Sequence, residues 1–160
     1  MGINVRFAGP GDIEKLIKVR FDFFDAVKRE STAELHFVIE SNLRQYYIKH
    51  LNNDCFAAVV EEDGAIASVA LLTVFEKPAN SSWPTGKTGT VLNVLTYPEH
   101  RKKGYAGAAV TALIEEAKRQ NLSFVELAAS DEGKPLYEEL GFATTKPSGN
   151  TEMKLCLYGK

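Results

Sequence analysis

Arg101-Lys102-Lys103-Gly104-Tyr105-Ala106-Gly107 sets three consecutive cations directly before small residues at the entry to an apolar-periodic stretch. Backbone N–H groups at a helix N-terminus have no internal partners and stand at the positive end of the helix dipole, so such an entry suits a diphosphate. Arg101 would offer a forked donor to phosphate oxygens, with Lys102 and Lys103 adding charge. Gly104, Ala106 and Gly107 leave room for close approach. The triplet alone reads more readily as a solvated basic turn. Two nucleotide-binding patterns compete with the diphosphate reading and fail. Gly104 and Gly107 lack the first tight-turn glycine of a dinucleotide fingerprint. Thr85-Gly86-Lys87-Thr88 imitates the end of a Walker A loop, but Ser81 stands where its first glycine belongs and a strand follows where a helix is required.

The other reactive side chains are isolated. Cys55 and Cys156 lie far apart and outside any Cys-x-x-Cys pair, which fits a reducing, cytoplasmic setting, and nothing near Cys55 in sequence would activate it as a nucleophile. His36, His50 and His100 are unclustered, so no metal is expected. Glu126 alternates with Val125 and Leu127 as a solvent-facing carboxylate does. Asn93 is expected to share a strand face with Val91 and Leu95 and to line a groove, but an amide is no base. No general base is assigned. Phe23, Phe24, Tyr46, Tyr47 and Trp83 are candidate walls for an acceptor, and Asp22 or Glu76 could attract an amine.

These groups need a scaffold, and 160 residues suffice for one domain, 1–160, with a core of its own. Hydrophobic residues at 44% and charged residues at 25% exclude a disordered tail and a membrane-spanning bundle. The most apolar stretch, Ala65 to Leu72, is broken by Ser68 and too short to cross a bilayer, and the first residues lack the apolar core of a signal peptide. A formal charge of -2 without a sustained basic stripe argues against nucleic acid as a partner.

Alternation predicts a strand over 3–7, and Pro10 with the spacing of Ile13, Leu16, Ile17, Phe24 and Val27 predicts a helix after it. Ser31 and Glu34 read as a capping box opening a second helix that ends near Leu51. Cys55 to Glu61 and Ala65 to Phe75 form a hairpin about Asp63-Gly64. Residues 77–87 are a loop, the one candidate for a flexible insertion, and 90–96 a strand stopped by Pro98. A helix over 104–120 follows, then a strand over 123–129 and a short helix over 135–140 closed by Gly141. A final hairpin pairs 143–146 with 153–158. This order calls for an α/β (α+β) fold with a mixed sheet flanked by helices.

Arg101-x-x-Gly104-x-Ala106 after a strand ending in x-Pro-Glu resembles the acetyl-CoA binding loop of the GNAT (Gcn5-related) N-acetyltransferases. Ser130 followed by Pro135-Leu136-Tyr137-Glu138-Glu139-Leu140-Gly141-Phe142 resembles that family's second signature, in the same chain order. The resemblance covers nearly the whole chain, loosely over the first fifty residues. It implies a mostly antiparallel central sheet splayed between its central strands, with the pantetheine arm of the cofactor in the gap. It makes Val94, Leu95 and Thr96 backbone partners of that arm, with an N–H near Leu95 directed at the thioester oxygen. Arg101, Lys102, Lys103, Gly104, Tyr105, Ala106 and Gly107 would then cradle the pyrophosphate, and Ser130 stands where many members place an Asn on the pantetheine. Tyr137 matches the tyrosine that gives a hydrogen bond or proton to the departing sulfur. The implied activity is acetyl transfer from acetyl-CoA to a primary amine of a small molecule or peptide, with homodimerisation compatible. The rival is a non-catalytic acyl-CoA sensor, which would keep the phosphate loop and dispense with Tyr137.

Overall fold

A computed structural model describes residues 3–159; Met1, Gly2 and Lys160 lie outside the described residues. Asp63 and Gly64 both take left-handed backbone conformations, with φ of +51° and +79°, and so make the tight turn expected between two antiparallel strands. Those strands, β2 (Cys55–Glu62) and β3 (Ala65–Glu76), are the centre of the sheet. Outside β2 lies β1 (Val5–Phe7), and outside β3 lies β4 (Lys87–Thr96), all antiparallel. The fifth strand, β5 (Val125–Glu126), is parallel to β4, giving the order β1-β2-β3-β4-β5.

β2 and β3 read as continuous apolar runs because both faces are covered. Cys55, Ala57 and Val59 turn toward α1 (Ile13–Ala26) and α2 (Ala33–His50), in a core with Leu16, Ile17, Val19 and Tyr47. Phe56, Ala58 and Val60 turn the other way, toward α3 (Tyr105–Arg119) and its buried stripe Ala109, Val110, Leu113 and Ala117. That stripe is the one the helical spacing predicted. Each fully buried aliphatic side chain here stabilises the fold by about 1.5–3 kcal/mol, so α3 is held on the sheet mainly by this face. A last helix, α4 (Lys134–Glu139), follows β5.

Several boundaries move for local reasons. The side chain that caps α2 belongs to Thr32, whose Oγ1 accepts from the Leu35 N–H at 3.2 Å, so the expected Ser31–Glu34 box shifts by one residue. The loop over 77–86 is tied down: Trp83 Nε1 donates to the Pro78 carbonyl at 2.8 Å, and Asn80 Oδ1 accepts from the N–H groups of Ser82 and Trp83. β4 begins at Lys87 rather than Thr90. β5 spans two residues of the seven expected, because it pairs with β4 only at Gly89 and Thr90 before the strands part. The final hairpin does not form. Among the described residues, 143–159 carry no strand, and Met153, Leu155 and Leu157 are 91%, 73% and 83% exposed. Alternation makes a strand-compatible face, but a ladder needs a partner edge, and β5 offers a very short one.

Candidate active site

β4 alternates between the two cores until Leu92, and there the register slips. Leu71 pairs with Leu92 and Val69 with Leu95, leaving Asn93 and Val94 opposite Ala70 alone, and Asn93 has φ of +54°. Asn tolerates this left-handed geometry better than most residues. The bulge corrects the expected face. Val91 packs with α3 and Leu95 with α1 and α2, so Asn93 does not share one face with both. Beyond Thr90 and Glu126 the parallel pair ends, and β4 runs on to Thr96 without a strand on that side.

The gap is a cavity of about 720 Å³. One wall is β4 from Val91 to Thr96, the facing wall carries Leu127, Ala128, Ser130, Leu136 and Tyr137, and Phe23 and Ala26 of α1 with Val27 just after it close a side. Its remaining side is the loop into α3. There Arg101, Lys102, Gly104, Tyr105, Ala106 and Gly107 all line the cavity, beside Val94, Leu95 and Thr96. The cavity therefore gathers every residue singled out for the cofactor except Lys103. That lysine's ammonium donates to both Glu62 oxygens at 2.9 and 3.0 Å, and His100 Nδ1 lies 2.5 Å from the same carboxylate. Glu62, at the end of β2, thus braces the loop from outside.

Within the loop, Lys102 and Gly104 take φ of +60° and +79°. Gly104 precedes α3, whose first intrahelical donor is the Ala108 N–H to the Gly104 carbonyl at 3.0 Å. The N–H groups of the turn before it are free by helix geometry. A Cβ on Gly107 would lie 3.3 Å from Leu136 Cδ1, so a larger residue there would crowd the wall of the gap. Arg101 Nε donates to the Thr96 carbonyl at 3.3 Å, holding the guanidinium near the end of β4.

Tyr137 is half-buried, its ring edge-on to Phe142 at 6.0 Å between centroids. Burial raises its pKa above the ordinary tyrosine value, so the phenol keeps its proton. Among the described residues its hydroxyl has no hydrogen-bond partner. Ser130 Oγ accepts from the Gly133 N–H at 3.1 Å, shaping the turn into α4, and its own proton remains available.

Other candidates separate. Phe23 lines the cavity, whereas Tyr47 is buried in the core. Trp83 packs against Phe124 near the start of β4, at the end remote from the gap. Asp22 accepts from the Tyr97 hydroxyl at 2.5 Å and from Lys18 at 2.6 Å. Burial pushes the Cys55 thiol up to about 11, which keeps it inert. Among the described residues no three His, Cys, Asp or Glu side chains come together in a way that could hold a metal ion. A second cavity of about 660 Å³ lies between α3 and α4, lined by Leu122, Phe124 and Phe142, and lacks the basic loop.

Sequence reasoning passed over Arg20, Glu62 and, at the end of α1, Ala26 and Val27. Arg20 could have been found: it lies four residues after Leu16 and four before Phe24, a charge placed on the apolar stripe of α1.

A mixed sheet parted beside a bulged strand, with a basic helix entry at the mouth of the gap, defines an acyl-transfer domain. The chain belongs to the acetyltransferase (GNAT) family, whose profile matches residues 19–142, and it is an acetyltransferase. It is similar to a predicted acetyltransferase from Clostridium acetobutylicum crystallised with acetyl-CoA, at 28% identity over 96% of both chains and a TM-score of 0.82. A GCN5-related N-acetyltransferase from Ralstonia eutropha JMP134 matches at 28% identity over 99% of this chain and 100% of that one, with a TM-score of 0.80. Glucosamine-6-phosphate N-acetyltransferase from Arabidopsis thaliana shares the fold at 20% identity over 96% of this chain and 100% of that one, with a TM-score of 0.67. No curated protein sequence matches the chain.

Proposed function

We propose that residues 1–160 act as one catalytic domain that moves an acetyl group from acetyl-CoA directly to a primary amine of a small molecule or peptide. The observation that carries this is the convergence of β4 beyond its last β5 pair, the loop into α3 and Tyr137 on one cavity. The residues fit the cofactor: free N–H groups at the start of α3 and Arg101 suit a pyrophosphate, and the unpartnered edge of β4 at Val94, Leu95 and Thr96 suits an extended amide-bearing arm. Lys102 and Gly104 to Gly107 complete the phosphate side, Lys103 contributes charge while held by Glu62, and Ser130 faces the arm.

When bound, acetyl-CoA supplies the acetyl group as an activated thioester. A backbone N–H near Leu95 is the donor assigned to the carbonyl oxygen, where charge builds as the amine attacks; one such donor is worth roughly 3 kcal/mol in a dry site. As the C–N bond forms and the C–S bond breaks, Tyr137 donates to the sulfur that takes the electron pair. The proton lost by the amine leaves to solvent. A cytoplasmic setting belongs to the same reading, on the free Cys55 and Cys156. So does a homodimer in which a second copy covers the exposed Met153, Leu155 and Leu157, tested by light scattering.

The test of the activity is release of free CoA from acetyl-CoA across a panel of primary amines. Turnover with at least one amine is expected. Acetyl-CoA binding without turnover on any amine would favour the sensor reading, and absence of binding would overturn both.

A further inference from the structure

The Arg20 side chain sits half-buried on α1 with its guanidinium carbon 4.8 Å over the Phe24 ring. Its Nη1 donates to Asn93 Oδ1 at 3.3 Å, and among the described residues no carboxylate lies within ion-pair distance of it. That long bond engages one of five N–H donors. The carboxylates Asp12, Asp22 and Glu116, buried or half-buried, each have a cation beside them: Arg6, Lys18 and Arg119. The groups that face Arg20 are Tyr46 and Tyr47 of α2, Cys55 of β2 and, as a like charge, Arg29. Burial lowers its pKa, the mark of a cation lacking compensation.

Position makes this a question about the acceptor. Asn93 lines the active-site cavity at the bulge, and so does Phe23, one turn along α1 from Arg20. The guanidinium is not itself part of the lining and reaches the α1 side of the cavity through its bond to Asn93. Asn93 precedes Leu95 by two residues across the bulge, so the chain separates them by at most about 7 Å. An anion held by Arg20 beside Asn93 would then lie within the length of a small molecule from the acetyl group's carbonyl carbon.

We infer that Arg20 is the acceptor-recognition residue for a carboxylate, so that the preferred substrates are small amines carrying a carboxylate close to the amino group, of amino-acid size. The planar fork of a guanidinium binds a carboxylate through two parallel hydrogen bonds. Asn93 Oδ1, turned to Arg20, leaves its amide N–H groups as further donors to the same anion. This inference rests on the proposed transferase activity and adds its substrate class.

The test uses matched pairs, each an α- or β-amino acid and its carboxamide, with two readouts: kcat/KM for acetyl-CoA-dependent acetylation, and the melting shift each compound causes in the CoA-loaded protein. Wild-type protein should favour the carboxylate member at least tenfold in kcat/KM, through KM, and should melt higher with it. Arg20→Gln should bring the pairwise ratio close to one, and Arg20→Lys should keep part of it. Equal handling of both members by wild type, or an unchanged ratio in Arg20→Gln, would overturn the inference. So would the absence of any difference in melting between members of a pair. A separate melting shift with acetyl-CoA alone reports on the transferase reading, so the two fail distinguishably.

Discussion

Tyr137 can serve as a donor only while it holds its proton, and its half-buried ring raises the pKa that decides this. For a group used in its neutral form, a raised pKa extends the active range upward: the loss of rate at alkaline pH falls above the ordinary tyrosine value of about 10. Tyr137→Phe should lower kcat about 10- to 100-fold with little change in KM for acetyl-CoA, and should remove that alkaline decline from the pH–rate profile. An unaltered kcat would reject the role. A second residue-scale prediction concerns Asp12, which is buried and grips Arg6 by two bonds at 2.8 and 2.9 Å while Arg6 also donates to Glu61. Arg6 hydrogen bonds hold the Asp12 carboxyl down at about 2. A depressed folded-state pKa gives stability that is present above the unfolded value near 3.9 and is lost as pH falls toward 2, here roughly 2 kcal/mol. Urea unfolding should thus show a loss between pH 4 and pH 2 that Asp12→Asn lacks, the variant already being weaker at pH 7. Residues of this kind were hard to read in advance. Arg20 and Asn93 lie 73 positions apart, and only the bulge in β4 brings them together.

The gap depends on how β4 is started and released. At its start Gly89 pairs with Val125, and a Cβ there would stand 2.8 Å from methyl carbons of both Leu122 and Leu72. Gly89→Ala must push both leucines, and overpacking of this sort costs about 1–3 kcal/mol. The urea midpoint should fall accordingly with an unchanged slope; an unaltered midpoint would show that the strands open freely at this point. Elements with self-contained signals were legible. Asp63-Gly64 carries its turn in two residues, and the stripe on α3 repeats often enough to fix a face. Features set by a neighbouring strand were not. Nothing local in Asn93 or Val94 announces a bulge, and the short β5 reflects the departure of β4 rather than any weakness between Ser123 and Ala129. The alternation from Met153 to Leu157 was visible, but alternation names a face and not the edge it should join. Within the site, the Arg101 to Gly107 loop stood out because its cations and glycines are contiguous; the α1 wall did not, since Ala26 and Val27 look like any helix end.

At the scale of the molecule, a net charge of -2 must coexist with a binding site for a polyanion. The two are compatible if attraction is confined to the loop and the start of α3, where Arg101 and Lys102 line the cavity while Lys103 is neutralised by Glu62. Global charge then gives little long-range steering, and most of the binding energy comes from contacts inside the cavity. Binding to the folded state alone stabilises it by about 2.7 kcal/mol at a ligand concentration one hundred times Kd. For a chain of this size each kcal/mol moves Tm by about 2–4 °C, so acetyl-CoA should raise Tm by roughly 5–10 °C. Arg101→Glu places a repelling charge at the proposed pyrophosphate position without altering the core, so its own Tm should match wild type while its shift with the same acetyl-CoA concentration shrinks by more than half. Raising salt from about 0.05 to 0.5 M should weaken the wild-type shift only modestly, because exposed pairs are screened and the backbone N–H groups of α3 are not. If Arg101→Glu kept the full shift, the pyrophosphate would have to lie elsewhere, and the cavity beside β4 would lose its reason for facing a basic loop.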